Sequence, residues 1–221
     1  MCGRFTLTLE ASEIQLEFGV DDVREEWAPR YNIAPSQEVA IIKNTEAGKL
    51  SWARWGLIPS WAKDPKVSQR MINARGETIQ EKPSFRGAFL SRRCIVLADG
   101  FYEWKKGGKA QPYYFCLKDK KPFGFAGLWE IWQTNPEGMS LQTCTIITCE
   151  ANELVSKVHE RMPVILPREK IGEWLGANRP DLLKNLLVPY SADEMTTFAV
   201  STLVNSPTND SRECIKPIAV L

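Results

Sequence analysis

The sequence predicts an α+β fold with a central, mostly antiparallel β-sheet or barrel-like core and short surrounding helices. Three observations carry this. Candidate strands outnumber candidate helices, they do not alternate regularly with helices, and several runs are rich in aromatic and β-branched residues. A doubly wound sheet would need the regular alternation that is missing. The chain has 221 residues, 43% of them hydrophobic, with eight tryptophans, which is enough for a sizeable buried core.

Residues 5–10 alternate, with Phe5, Leu7 and Leu9 against Thr6, Thr8 and Glu10, the period of a half-buried strand. Ser12-Glu13-Ile14-Gln15 has capping-box spacing and predicts a short helix with Ile14 and Phe18 on one face, stopped at Gly19. Residues 21–30 read as a charged loop. The run 39–42, a turn at 44–48 and the alternating stretch 50–55 predict a hairpin. A loop follows through Gly56 and Pro59 to Trp61. Residues 84–92 suggest a short helical or irregular piece. The apolar run 94–98 is bounded by Asp99-Gly100, and Phe101-Tyr102-Glu103-Trp104 resumes beyond it. A basic, glycine-containing turn at 105–109 leads to strand candidates at 113–117, 123–129 and 143–149. Helices are expected at 152–157, at 168–175 ended by Gly176, and at 180–187 with Asn178 as cap and Pro180 in the first turn. A last strand at 198–200 and an irregular tail complete the chain.

The net charge of +1 makes no global claim on an acidic partner, so any nucleic-acid footprint must be local. Residues 52–105 provide one: ten basic side chains face five acidic ones there. Trp52, Trp55, Trp61, Phe85, Phe89, Phe101 and Trp104 are interleaved with them. Cations that track a backbone beside rings that stack on unpaired bases are what a single-strand binder needs. The alternative is a solvated face over an aromatic core, the better account of most of these rings singly. Trp61 is the exception, because it follows Ser60 and precedes a polar stretch, with no alternation to bury it.

The first twenty residues carry Glu10, Glu13 and Glu17 and lack a secretory apolar run, and no stretch is long enough to span a membrane. A cytoplasmic protein without membrane association is expected. The six cysteines form no disulfide framework, and with no C-x-x-C pair and a single histidine no metal site is expected either. Cys94, Cys116 and Cys144 sit in apolar runs and read as buried small hydrophobes.

Four polar residues stand out. Cys2 lies directly behind Met1. If Met1 were trimmed, Cys2 would carry an α-amine and a thiol on adjacent carbons, with reference pKa values of about 7.7–8.0 and about 8.5. An amine attacks an aldehyde to give a Schiff base, and a neighbouring thiol can close on the imine carbon as a thiazolidine. The alternative is an idle terminus. Glu103, among large rings, is either a desolvated carboxyl suited to proton transfer or a group turned to water. His159, just before the run 162–166, is either structural or catalytic, and Asn73 is otherwise a turn or capping amide.

Taken together, Met1-Cys2-Gly3-Arg4, Tyr31-Asn32-Ile33-Ala34-Pro35, Trp55-Gly56-Leu57-Ile58-Pro59-Ser60-Trp61, Asn73-Ala74-Arg75-Gly76-Glu77-Thr78, Asp99-Gly100-Phe101-Tyr102-Glu103-Trp104 and His159-Glu160-Arg161-Met162-Pro163 occur in this order. This series resembles the SRAP family of abasic-site processing proteins and spans residues 1 to about 166. The resemblance implies one SRAP-like domain over residues 1–221, no cofactor, and a monomer that acts on abasic sites in single-stranded DNA. It implies loss of Met1, capture of the ring-opened sugar by Cys2 as a thiazolidine, and a competing lyase reaction by β-elimination. Cys2, Asn73, Glu103 and His159 match the family's catalytic residues. Arg4, Asn32, Pro35, Trp61, Arg75, Arg86, Thr148 and Arg161 match DNA-contacting positions, with Trp61 as a wedge that Ala62 leaves without a bulky neighbour. Two other classes share features: glutamine amidotransferases that begin with a processed Met-Cys-Gly, of which no matching arginine-glycine-proline-aspartate stretch is present, and non-enzymatic single-strand binders in which Cys2 is incidental.

Overall fold

The structure, a computed structural model, describes residues 2–105, 110–133, 138–177 and 179–219. Met1, the expected turn beyond residue 105 and the expected cap Asn178 lie outside the described residues. Strand β1 (Phe5–Leu7) is followed by helix α1 (Ala11–Phe18), β2 (Arg30–Ile33), β3 (Glu38–Lys43), β4 (Leu50–Trp55) and β5 (Asn73–Arg75). Then come α2 (Pro83–Ser91), β6 (Arg93–Ala98), β7 (Gly100–Lys105), β8 (Gln111–Leu117), β9 (Phe123–Gln133) and β10 (Ser140–Glu150). The chain ends with β11 (Arg161–Pro163), β12 (Ile165–Leu166), α3 (Arg168–Gly176), α4 (Pro180–Asn185), β13 (Met195–Ala199) and 3₁₀ turns. Mixed α+β architecture with short helices is what the sequence predicts.

Two sheets form the body. One has the order β13-β8-β7-β1-β2 and is antiparallel throughout. In the other, β10 pairs with both β4 and β9, and β9-β6-β3-β4 completes the circuit, so the strands close into a barrel. Closure removes the exposed edges that an open sheet would leave. β5 adds in parallel to the end of β10, and β11 adds antiparallel to the same end.

Aromatic rings from β1 and β7 pin the sheet to the barrel. Phe5 meets Trp55 and Phe125 edge-on at 5.1 and 5.7 Å, and Phe101 stacks on Phe115 while touching Phe125. All of these rings are buried, and such pairs add about 0.5–1.5 kcal/mol each beyond the area they bury.

Several local expectations are corrected. β1 is not half-buried: Thr6 is wholly buried beside Phe5 and Leu7. Its hydroxyl donates to Asp99, as do the Thr8 backbone N–H and hydroxyl. A polar side chain with a buried partner escapes the cost that alternation normally avoids. Asp99 stands where the chain leaves the barrel (β6) and enters the open sheet (β7), so the runs on either side of it belong to different sheets. α1 starts earlier than expected, because Glu13, rather than a Ser12 cap, closes back onto the Glu10 N–H at 2.7 Å. The expected helix at 152–157 shrinks to a 3₁₀ turn at Val155–Lys157, because the Asn152 side chain accepts from the N–H groups of Leu154 and Val155.

Gly100 opens β7, and a β-carbon there would lie 2.1 Å from the Tyr114 hydroxyl, itself held by Thr6. Gly100→Ala should therefore cost about 2 kcal/mol, measured by urea unfolding, and should disturb β7 more than an alanine placed at exposed Gly172, where nothing lies within 4 Å.

Candidate active site

Cys2 sits at the seam between the two sheets. β1 and β7 run antiparallel with Phe5 opposite Phe101, and Tyr102 N–H donates to the Arg4 carbonyl at 2.9 Å. Carrying that register two residues further places Gly3 opposite Glu103. Cys2 packs with the core that contains Phe5, whereas Arg4 lies over Trp104 on the other side of the sheet. Strict alternation would put residues 2 and 4 on one face, so the chain turns at Gly3 and delivers Cys2 toward the barrel. From the barrel side, Asn73 at the start of β5 donates its amide to the Cys2 carbonyl at 2.8 Å. That bond joins residues seventy-one positions apart and ties the N-terminus to the barrel.

The Cys2 thiol is fully buried. Burial first, and the Glu103 carboxylate beside it second, push its pKa up, while the Arg4 carbonyl lies 4.0 Å from the sulfur. The thiol is thus kept protonated. Glu103 is itself buried at 3% exposure, so its strand does not turn it to water. The Asn73 carbonyl oxygen is buried and makes no hydrogen bond among the described residues.

His159 lines an open cleft of about 640 Å³ together with Arg75 and Arg161. Its Nδ1 lies 3.0 Å from the Arg161 N–H, which donates to it. β10 organises this side: Thr148 lies opposite Arg75 on β5 and Pro163 on β11, and Glu150 lies opposite Arg161. Cys2, Asn73 and Glu103 do not line the cleft, since Cys2 is enclosed.

The expected DNA-contacting residues divide sharply. Arg75 and Arg86 are exposed, Pro35 is half-buried, and Trp61 is 64% exposed in the loop after β4. Arg86 lies in α2, apart in sequence from Cys2 and from β7, which carries Glu103. Asn32 and Thr148 are wholly buried, with their side chains turned into the protein. Asn32 donates to the carbonyls of Val204, Ser206 and Asn209 and accepts from Arg4 at 2.7 Å, so its hydrogen-bonding capacity is spent inside the protein. Arg4 also donates to the Val204 carbonyl. Arg161 makes a two-pronged ion pair with Glu77 at 2.6 and 2.9 Å.

The basic stretch is also less of a surface than its sequence suggests. Arg93 is buried, with its guanidinium donating to carbonyls at the ends of α2 and α3, and Arg92 pairs with Glu130. Trp55, Phe89 and Phe101 are core residues. All six cysteines are buried and free. Among the described residues no helix is long and apolar enough to cross a membrane, and none of their side chains cluster as a metal site.

The residue that sequence reading passed over is Glu77. It stands two positions after Arg75 in a quoted motif, and its acidic charge against Arg161 in another motif was the available signal.

The fold and this constellation define a member of the SRAP family, described as SOS response associated peptidase: the family profile matches residues 1–207. The chain belongs to that family. It is 51% identical to the abasic site processing protein YoqW of Bacillus subtilis over 98% of this chain and 99% of that one. It is 34% identical to the chicken abasic site processing protein HMCES, over 99% of this chain and 78% of that one. A protein of Bacteroides thetaiotaomicron of known crystal structure superposes with a TM-score of 0.90 at 28% identity, covering 99% of this chain and 100% of that one.

Arg161 holds the Glu77 carboxyl below its ordinary pKa. The pair therefore adds stability at neutral pH, and that contribution is lost as the pH falls through the lowered value. Plotted against pH, the urea midpoint of the wild type should fall on the acid side by an amount that Glu77→Gln lacks; parallel curves would contradict the pairing.

Proposed function

We propose that this protein processes abasic sites in single-stranded DNA, and that it does so as a monomer through Cys2 once Met1 has been removed. The observation that carries the reading is the enclosure of Cys2 between Asn73, which holds its carbonyl, and Glu103, whose charge acts on its thiol. Family membership and the printed activity of the relatives support the same substrate class.

The ring-opened abasic sugar presents an aldehyde. The Cys2 amine attacks its carbon to give a carbinolamine, whose hydroxyl leaves as water after accepting a proton, and a Schiff base remains. The Glu103 carboxylate, buried near the reacting sulfur, relays that proton: it takes the proton the amine sheds on attack and hands it to the hydroxyl. The Asn73 oxygen accepts the N–H of the reacting amine and orients its lone pair. The thiol then adds to the imine carbon. A carbon–sulfur bond forms, the imine π pair becomes a nitrogen lone pair, and the thiol proton ends on that nitrogen, leaving a thiazolidine. His159 carries protons between the cleft and this centre. In the competing branch a base removes the proton next to the imine carbon, the electrons expel the 3′ phosphate, and the strand is cut.

Raising the thiol pKa delays the sulfur until the imine exists, since a buried thiol with a carboxylate neighbour stays protonated. Arg75 meets a backbone phosphate at the cleft, and Arg86, Pro35 and Trp61 meet nucleotides farther along the strand. Arg4 acts from below, through its carbonyl and its bond to Asn32.

Intact-mass measurement should show protein lacking Met1, and only that form should give a denaturation-resistant adduct with a single-stranded oligonucleotide bearing one abasic site. Cys2→Ser should abolish the adduct. A full yield from Cys2→Ser, or from protein retaining Met1, would overturn the reading. Capture should weaken with salt, each phosphate contact adding about 0.7 to the logarithmic slope.

A further inference from the structure

The C-terminal segment carries no motif, yet it reaches the site across the outer face of the open sheet. Val200 bridges to Pro217, and Val200, Val204 and Cys214 pack with Tyr102, Tyr114 and Cys116. Asp210 fastens the segment to β2, accepting from the Tyr31 N–H at 2.5 Å and pairing with Arg30. Next to them in β2, the wholly buried Asn32 shares its amide N–H groups among the carbonyls of Val204, Ser206 and Asn209 at 3.2, 3.0 and 2.6 Å.

This bracket ends on Arg4. Nη1 of Arg4 donates to the Asn32 side-chain oxygen at 2.7 Å and to the Val204 carbonyl at 2.6 Å. Both N–H bonds of Nη1 are thereby occupied, and because they lie in the plane of the guanidinium they set that plane. The Trp104 ring lies 5.8 Å from the guanidinium carbon, and the Trp104 indole N–H donates to the Asn205 side chain at 2.7 Å. The 3₁₀ turn Thr202–Asn205 therefore holds one edge of Arg4 and also the ring beside it. Among the described residues the hydrogen bonds of this guanidinium leave from Nη1, and Nε is enclosed, so Nη2 is the nitrogen left for a ligand.

Arg4 and Trp104 are neighbours of the reacting groups in the chain. Arg4 follows Cys2 by two residues, and its carbonyl lies 4.0 Å from the sulfur. Trp104 follows Glu103 on β7, and successive strand side chains take opposite faces. The C-terminal turn thus grips, from one face of the sheet, the residues that flank the reacting groups on the other.

We propose that Asn32 and the turn Thr202–Asn205 position DNA capture: they fix the Arg4 guanidinium against Trp104 with Nη2 free to meet a backbone phosphate beside the abasic sugar. This rests on the function proposed above and on the resemblance of Arg4 to a DNA-contacting position. Asn32 and Asn205 are positioning residues that act through Arg4, and the C-terminal segment becomes part of the DNA grip.

Reversible binding to a single-stranded oligonucleotide without an abasic site tests this apart from the chemistry. Asn32→Ala should weaken it about tenfold, the scale of one hydrogen bond to a charged group. The same variant should flatten the logarithmic salt slope by about 0.7, one phosphate contact on a single strand. Arg4→Ala should do likewise, and Asn32→Ala added to it should cost nothing further, since the two side chains act as one unit. With Met1 removed and a strand bearing one abasic site, the DNA concentration for half-maximal adduct rate should rise in step. The rate at saturating DNA should fall by less than about threefold, as for an interaction made before and during the reaction alike.

A salt slope that keeps its wild-type value in Asn32→Ala, whatever its melting temperature does, would overturn the proposal and leave Asn32 a residue of the fold alone. So would losses that multiply in the double variant, or a slower rate at saturating DNA with an unchanged half-maximal concentration. If Asn32→Ala does not fold, Asn205→Ala carries the comparison, because its side chain is exposed and its loss frees Trp104 from the turn. It should weaken binding in the same sense, and only while Arg4 is present. A wild-type protein that binds the strand with the expected slope but gives no adduct would sink the crosslinking reading and leave the positioning standing.

Discussion

β10 is the constraint on which both the barrel and the site depend. Its eleven residues pair with β9 along one side, and with β4 and then β5 along the other, before β11 takes over at its end. From Cys144 to Cys149 the strand is buried. A one-residue slip would exchange its two faces and bring Thr145 or Thr148 where Ile146 and Ile147 now pack. The pairing of β10 with β5 and β11 therefore also fixes Asn73, Arg75 and Arg161 relative to one another.

The second organising feature is the division of labour between the sheets. The open sheet brings Cys2 and Glu103, the barrel brings Asn73, and the β10–β11 end brings His159 and Arg161. Burial does the electrostatic tuning at the first of these places: it raises the thiol pKa and heightens the effect of the nearby carboxylate. At the cleft the tuning is ionic, with Arg161 and Glu77 neutralising each other and leaving exposed Arg75 beside them. The cleft is lined by Arg75 and Arg161 together with Glu150 and Glu160, so its charge is mixed, while Cys2 is enclosed apart from it.

Where local pattern and environment agreed, the sequence was easy to read. The hairpin of β3 and β4 has the alternation and turn of its kind, and Gly19 ends α1 in the left-handed conformation that glycine allows. Thr6, Asp99 and Arg93 were opaque for a shared reason. Each is polar, each is buried, and each is satisfied by partners between three and 108 residues away. A pattern of polarity cannot reveal a partner. The same blindness made the basic stretch look more exposed than it is, because Arg92 and Arg93 count as charges in a sequence and as internal ties in the fold. Asn32, matched by resemblance to a DNA-contacting position, is a buried hub for Arg4 and the C-terminal turns, which its place in the sequence does not show.

By itself the sequence determined the chemical inventory: a cysteine behind the first methionine, one histidine, an acid among rings, and strands in excess of helices. These follow from residue identity and local periodicity. Only the tertiary structure decided that Cys2 would be enclosed, that Asn73 would hold it, and that Glu77 would lock the arginine beside His159. Those are long-range pairings, set by strand register and by how two sheets pack, and no window of neighbouring residues contains them.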